Sequence, residues 1–176
     1  MIAGSLQKLT PETLFSQYPV PVAVIAAILL TGSLALFLRC RKRHRRKRHW
    51  QTVEAELEGI DQMEGHAFEY WCACLLEDMG FEKVTVTPGS GDQGVDITAE
   101  KDEVRFAFQC KCYHTDLGNT PVQEVYTGKA IYRCHVGVVM TNSYYTKSAI
   151  AAAEATGILL WDRDKIADMI AMRNGG

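Results

Sequence analysis

Three polar side chains on two neighbouring predicted strands are candidates for joint chemistry. They are the carboxylate of Asp96, the amide of Gln109 and the ammonium of Lys111. Carboxylate and amide oxygens are hard ligands that suit Mg²⁺, and a bound metal can neutralise a phosphate and lower the pKa of a bound water. A neighbouring lysine can orient that water or stabilise developing charge. The residue types indicate phosphodiester hydrolysis, and a structural salt bridge between Asp96 and Lys111 is the open alternative.

The relative position of these residues depends on one hairpin loop. A two-residue loop at Asp102 and Glu103 sets a register in which Asp96 lies opposite Gln109, whereas a loop one residue longer would separate the two. Side chains alternate along a strand, so Gln109 and Lys111 share one face with Asp96. The other face is a predicted core face, made of Phe106, Phe108, Cys110 and Cys112.

The hydrophobic pattern after residue 60 predicts the element order α-β-β-β-α-β-α-β-α, which indicates an α/β fold with a mixed sheet and helices on both faces. A helix is predicted to begin at Thr120 with a capping box to Gln123. Another is predicted over 145–156, where Asn142 and Ser143 either cap the helix or contact a DNA backbone. The predicted strands cover 81–87, 95–100, 104–113, 135–141 and 158–161.

Charge is distributed unevenly along the chain of 176 residues. Residues 39–49, the basic collar, contain eight of the nineteen basic side chains and no acidic one. Residues 50–176 contain ten basic and twenty acidic side chains, so the body of the protein is acidic although the formal net charge of the whole chain is only −2. This distribution excludes a uniformly basic, histone-like nucleic-acid binder.

The N-terminal part predicts a membrane anchor. Residues 20–38 are almost entirely apolar and long enough to cross a bilayer as a helix. The basic residues follow the apolar stretch, the reverse of a cleaved signal peptide. The expected organisation is a short extracytoplasmic N-terminus over 1–18, a transmembrane helix over 19–38, a collar and linker helix over 39–59, and a cytoplasmic domain over 60–176. The basic collar would determine topology, bind anionic headgroups or contact nucleic-acid phosphates.

Several motifs, in sequence order, resemble the Mrr-type restriction endonuclease catalytic domain of the PD-(D/E)xK nuclease superfamily. The resemblance covers roughly residues 60–168. The segments that carry it are Gly89-Ser90-Gly91-Asp92-Gln93-Gly94-Val95-Asp96-Ile97, Phe108-Gln109-Cys110-Lys111-Cys112-Tyr113, Phe68-Glu69, Val138-Val139-Met140-Thr141-Asn142 and Leu159-Leu160-Trp161-Asp162.

The resemblance implies an αβββαβ core, dependence on Mg²⁺ or Mn²⁺, and a catalytic set of Asp96, Gln109, Lys111 and Glu69. In this set Asp96 is the main metal ligand, Gln109 replaces the usual acidic ligand, Glu69 from the first helix completes the metal site, and Lys111 serves the attacking water. A surface acid is an equally ordinary interpretation of Glu69. Asp92 is interpreted as a loop residue.

The leading hypothesis is a membrane-anchored, divalent-metal-dependent DNA endonuclease in defence against foreign or modified DNA. One alternative is a non-catalytic membrane-bound nucleic-acid-binding module that keeps the nuclease fold, since Gln109 replaces a carboxylate and the body is acidic. Another is a structure-specific nuclease of repair or recombination. The expected partners are DNA and the membrane. Whether the protein forms a homodimer is left undecided by the sequence.

Overall fold

The computed structural model of the chain describes residues 19–88 and 93–175. The chain divides into two units, residues 1–48 and residues 49–176. The predicted extracytoplasmic segment 1–18 lies outside the described residues. The second unit begins at His49 rather than at residue 60, because residues of the expected linker take part in its core.

The first described element is a long helix, α1 (Pro19–Ile60), which contains both the apolar stretch and the basic collar. Within the described parts of the chain, no helix is sufficiently long and apolar to cross a membrane. The expected transmembrane helix over 19–38 is therefore not supported. The last turns of α1 belong to the core of the second unit and bury Val53, Leu57 and Ile60.

The centre of the second unit is a mixed five-stranded sheet with the strand order β1-β2-β3-β4-β5. Strands β1, β2 and β3 pair antiparallel, and β4 and β5 add in parallel to β3. The predicted mixed sheet is thus confirmed. The strand bounds are β1 Glu82–Val86, β2 Ile97–Lys101, β3 Val104–Lys111, β4 Val136–Thr141 and β5 Leu159–Trp161.

Four further helices connect or flank the strands in the predicted order, with two hydrophobic clusters on the two faces of the sheet. The bounds are α2 Gly65–Asp78, α3 Thr120–Ile131, α4 Lys147–Thr156 and α5 Arg163–Gly175. Two helix starts differ from the prediction. Asn119 rather than Thr120 is the N-cap of α3, without a side-chain cap bond, and the hydroxyl of Thr146 caps α4 by accepting from the backbone N–H of Ala149.

The hairpin between β2 and β3 confirms the predicted register. Lys101 pairs with Val104, so the loop contains only Asp102 and Glu103. Both loop residues have positive φ, at 50° and 65°, as a type I′ turn requires. The pairing of Ile97 with Phe108 extends this register to the start of β2 and brings the preceding residue opposite Gln109.

Candidate active site

Asp96 and Gln109 form the buried centre of the site at the start of β2. Their side chains are directly bonded, because the Gln109 Nε2 donates to Asp96 Oδ2 at 2.5 Å, and the backbone N–H of Cys110 donates to the same oxygen at 2.6 Å. Asp96 is 5% exposed and Gln109 is 1% exposed. The backbone N–H of Asp96 donates to the Phe108 carbonyl at 2.8 Å, which fixes the carboxylate beside β3.

The oxygen of the amide, Gln109 Oε1, is buried and has no hydrogen-bond partner. Leaving a buried polar atom unsatisfied costs about 1–3 kcal/mol, so such atoms in folded proteins call for an explanation. A divalent cation beside Asp96 would satisfy this oxygen, since both residues offer hard oxygen donors. The residues present therefore fit a metal, although the described residues contain no cluster of three or more His, Cys, Asp or Glu side chains that could hold one.

Lys111 lies at the last residue of β3, on the face that Gln109 occupies. Its side chain is 26% exposed, and its Nζ lies 3.7 Å from Oε2 of Glu124 on α3. Both side chains line a cleft of about 310 Å³ that is also lined by Thr120 and Pro121 at the start of α3. The ammonium therefore lies beside space that a ligand could enter.

Glu69 lies on α2, which packs on the opposite face of the sheet from α3. Its carboxylate is 3.0 Å from Nδ1 of His66, and its side chain is 16% exposed. The pKa of the Cys110 thiol is raised by its hydrogen bond with Cys72, by burial and by the negative charges of Asp96 and Glu69. Both acids thus act electrostatically on one residue of β3, and the metal-ligand role of Glu69 stays a prediction. Asp92 lies outside the described residues.

A polar network borders the site beyond the end of β3. Asp61 Oδ1 accepts from Asn142 Nδ2 at 2.8 Å and from an Arg163 nitrogen at 2.7 Å, and Asn142 Oδ1 accepts from the backbone N–H of Tyr113 at 2.8 Å. Burial by itself would raise the pKa of Asp61, but the bonds from Arg163 and Asn142 outweigh it and lower that pKa. The network connects the end of α1 with the ends of β3 and β4.

Asn142 differs from its sequence-based interpretation, and Tyr145 has a structural role. Asn142 is expected to be a helix cap or a DNA-contacting residue, but it is 3% exposed and belongs to the Asp61 network. The hydroxyl of Tyr145 donates to the carbonyls of Val139 and Trp161, so this side chain supports the sheet. The sequence did not indicate Glu124, because the only signal for it is its position on the helix after the Gln-x-Lys strand.

A family model described as restriction endonuclease, of the Mrr catalytic type, matches residues 60–170. No curated protein matches the chain.

Similar solved structures include two restriction enzymes. The DNA modification-dependent restriction endonuclease AspBHI has a TM-score of 0.53 and 20% identity over 72% of this chain and 36% of its own. MspJI restriction endonuclease, in complex with a 27-mer oligonucleotide, has a TM-score of 0.50 and 19% identity over 70% of this chain and 30% of its own.

A protein of unknown function, AF1548, is also similar, with a TM-score of 0.46 and 24% identity over 53% of this chain and 55% of its own. In each of these pairs the chain covers less than two thirds of the other protein's length. The likeness to the two restriction enzymes shows the shared fold, and the family match covers more than half of the chain. The chain therefore belongs to the restriction endonuclease family with the Mrr-type catalytic domain.

Proposed function

We propose that the protein is a divalent-metal-dependent endonuclease that hydrolyses phosphodiester bonds in DNA. The observation that carries this proposal is the hydrogen-bonded pair of Asp96 and Gln109, in which the buried amide oxygen of Gln109 lacks a partner. Lys111 lies two residues further along the same strand, and its side chain lines a cleft. Membership of the restriction endonuclease family supports the same chemistry.

In this proposal Asp96 and Gln109 would bind a Mg²⁺ or Mn²⁺ ion, with Glu69 as the proposed third ligand. When bound, the ion supplies charge neutralisation at the phosphate and makes a water acidic enough to attack. Lys111 orients that water or stabilises the charge that develops on the phosphate. The start of α3 lines the same cleft, and a helix N-terminus favours an anionic group such as a phosphate.

The proposed substrate is foreign or modified DNA. The name of AspBHI describes modification-dependent restriction by that enzyme, and part of that enzyme shares the fold of this chain. The present chain covers only 36% of AspBHI, so recognition of a modification by this protein is a proposal, which a comparison of modified with unmodified substrates would decide.

A non-catalytic DNA-binding domain is the second candidate. It is favoured by one observation, namely that the described residues contain no three-member cluster of metal-binding acids, histidines or cysteines. Binding without cleavage would leave the Asp96 and Lys111 side chains without a chemical role, so no metal-dependent cleavage would be measured for the wild type or for either variant.

The test compares DNA cleavage by the wild-type protein with that by Asp96→Asn and Lys111→Ala. Supercoiled plasmid, unmodified or methylated, is incubated with Mg²⁺, Mn²⁺ or EDTA. Wild type is expected to cleave only with metal, and each variant to lose about 100-fold or more of the rate. The exposed residues Asp168 and Lys165 provide matched controls as Asp168→Asn and Lys165→Ala, which keep the activity. Equal behaviour of wild type and both site variants would contradict catalysis.

A further inference from the structure

Glu124 has a position that the Asp96, Gln109 and Lys111 set does not explain. It lies on α3, its Oε2 is 3.7 Å from the Lys111 Nζ, and both side chains line the same cleft. The side chain of Glu124 is 41% exposed, so the carboxylate reaches from the solvent side toward the lysine. This ion pair joins the helix after the catalytic strand to the last residue of that strand.

Two glycines determine where the Glu124 backbone lies. A Cβ on Gly94 would lie 2.7 Å from the Glu124 Cβ and 2.8 Å from its carbonyl oxygen, and Gly94 has a φ of +80°. A Cβ on Gly128, one turn along α3, would lie 2.5 Å from Val95 Cγ2 and 2.6 Å from the Gln93 carbonyl oxygen. Because neither position has room for a side chain, α3 packs directly on the turn that leads to Asp96, and Glu124 is fixed relative to the site.

The oxygen that faces Lys111 is unusual. Glu124 Oε2 is buried and has no hydrogen-bond partner, and among the described residues only Gln109 Oε1 shares this state. Gln109 lies two residues before Lys111 on β3, and Glu124 Oε2 faces the Lys111 ammonium, so both oxygens belong to residues that neighbour Lys111. An unsatisfied buried oxygen costs stability, and such costs concentrate at functional sites.

Ion pairs elsewhere in the second unit include two long ones, Arg173–Asp78 at 3.8 Å and Arg105–Glu100 at 3.9 Å, as well as hydrogen-bonded ones. Lys83 and Glu100 are 2.5 Å apart, and Arg163 and Asp61 are 2.7 Å apart, so both pairs are hydrogen-bonded. The Lys111–Glu124 separation of 3.7 Å is too long for a hydrogen bond. Charge attraction at this distance orients the ammonium and leaves its N–H donors available to a ligand in the cleft.

We propose that Glu124 is a positioning residue of the nuclease site, whose carboxylate orients the Lys111 ammonium toward the phosphodiester in the cleft. This inference rests on the proposed nuclease activity. It assigns the effect of Glu124 to Lys111 alone, so removal of Glu124 slows the chemical step and leaves DNA binding unchanged. It also predicts that the effects of substituting Lys111 and Glu124 on kcat are not additive.

The test measures kcat and KM for supercoiled plasmid with Mg²⁺ for the full chain and its variants. Glu124→Gln is expected to lower kcat by about 10- to 100-fold with KM unchanged, since misplacing a catalytic group has effects of this size. Glu124→Asp, which keeps the charge on a shorter side chain, is expected to give an intermediate kcat. The control is Glu154→Gln, an exposed glutamate on α4, which keeps the wild-type kcat.

A double-mutant cycle identifies the route of the effect. The variant Lys111→Ala/Glu124→Gln is expected to be no slower than Lys111→Ala, because residues that act as a unit are not additive. Additive losses, a wild-type kcat for Glu124→Gln, or a raised KM with normal kcat would each overturn the inference. Thermal unfolding of each variant establishes that it is folded. If Glu124→Gln is misfolded, the kcat of Glu124→Asp decides the test. An inert wild type would instead overturn the proposed nuclease function, and the inference with it.

Discussion

At the scale of single residues, the site combines one satisfied acid with two unsatisfied oxygens. Asp96 Oδ2 accepts two short hydrogen bonds, from Gln109 and from the Cys110 backbone, while Gln109 Oε1 and Glu124 Oε2 have no hydrogen-bond partner. An amide is well suited to its place beside Asp96, because its NH₂ group donates to the carboxylate and its oxygen stays available to a cation. A carboxylate at position 109 could not donate in this way.

The role of this amide leads to a prediction for Gln109→Glu. The substitution replaces the Nε2 donor by a carboxylate facing Asp96, so the folded state loses a buried hydrogen bond and gains charge repulsion. The free energy of unfolding in EDTA is expected to fall by about 2 kcal/mol or more. Mg²⁺ is expected to stabilise this variant more than wild type, because a cation relieves the repulsion.

Urea unfolding with EDTA or with Mg²⁺ measures both effects. The matched control is Gln123→Glu, an exposed position on α3, which is expected to change the unfolding free energy little in either condition. If Mg²⁺ stabilised Gln109→Glu and wild type equally, Gln109 would not lie at a cation site.

At the scale of elements, the hairpin was the most predictable part of the site. Its register depends on local sequence, namely the two-residue loop at Asp102 and Glu103 and the apolar alternation of β3, and the structure confirms it. The packing of α3 was not predictable in the same way. The position of Glu124 depends on the close approach of α3 to the turn around Gly94, which joins segments far apart in the chain.

The burial of the end of α1 was also not predictable from the sequence. Val53, Leu57 and Ile60 lie on one side of a helix and are buried, but their many acidic neighbours favoured the interpretation as a polar linker. The polar residue that follows, Asp61, is fixed by Arg163 and Asn142, which are distant in the sequence. Pairings of this kind follow from the tertiary fold rather than from local pattern.

The Asp61 network leads to a prediction on pH. The pKa of Asp61 is lowered in the folded protein, since the bonds from Arg163 and Asn142 outweigh the effect of burial. A carboxylate with a depressed folded pKa adds stability that is present above its unfolded pKa of about 3.9 and is lost as pH falls through the folded pKa. Asp61→Asn is therefore expected to reduce the unfolding free energy by about 1 kcal/mol at pH 7 and by much less near pH 3.

Urea unfolding between pH 7 and pH 3 measures the difference between Asp61→Asn and wild type. Glu58→Gln, an exposed position in the preceding turn of α1, is the control and is expected to leave the free energy of unfolding at pH 7 close to that of wild type. A difference that stayed constant down to pH 3 would mean that the ionised Asp61 does not stabilise the fold.

At the scale of the whole molecule, the distribution of charge is the main constraint on the proposed binding of DNA. Residues 50–176 contain twice as many acidic as basic side chains, and DNA is a dense polyanion. In the proposed reaction a metal and Lys111 would act only at the scissile phosphate. The largest source of positive charge is the basic collar, whose described side chains from Arg39 to Arg45 are exposed.

The basic collar is therefore expected to supply most of the non-specific affinity for DNA. Replacing Arg41, Arg43 and Arg45 by Ser should weaken binding similarly for unrelated sequences and reduce the slope of log K against log salt by about 0.9 for each phosphate that the protein no longer neutralises. Fluorescence anisotropy over a salt series measures both, with EDTA present to prevent cleavage. The matched control replaces the same three residues by Lys, which keeps the charge and should keep the slope. An unchanged slope in the Ser variant would mean that another part of the chain attracts the DNA. A reduced slope in the Lys variant would mean that the geometry of the guanidinium group, rather than its charge, determines binding to the phosphates.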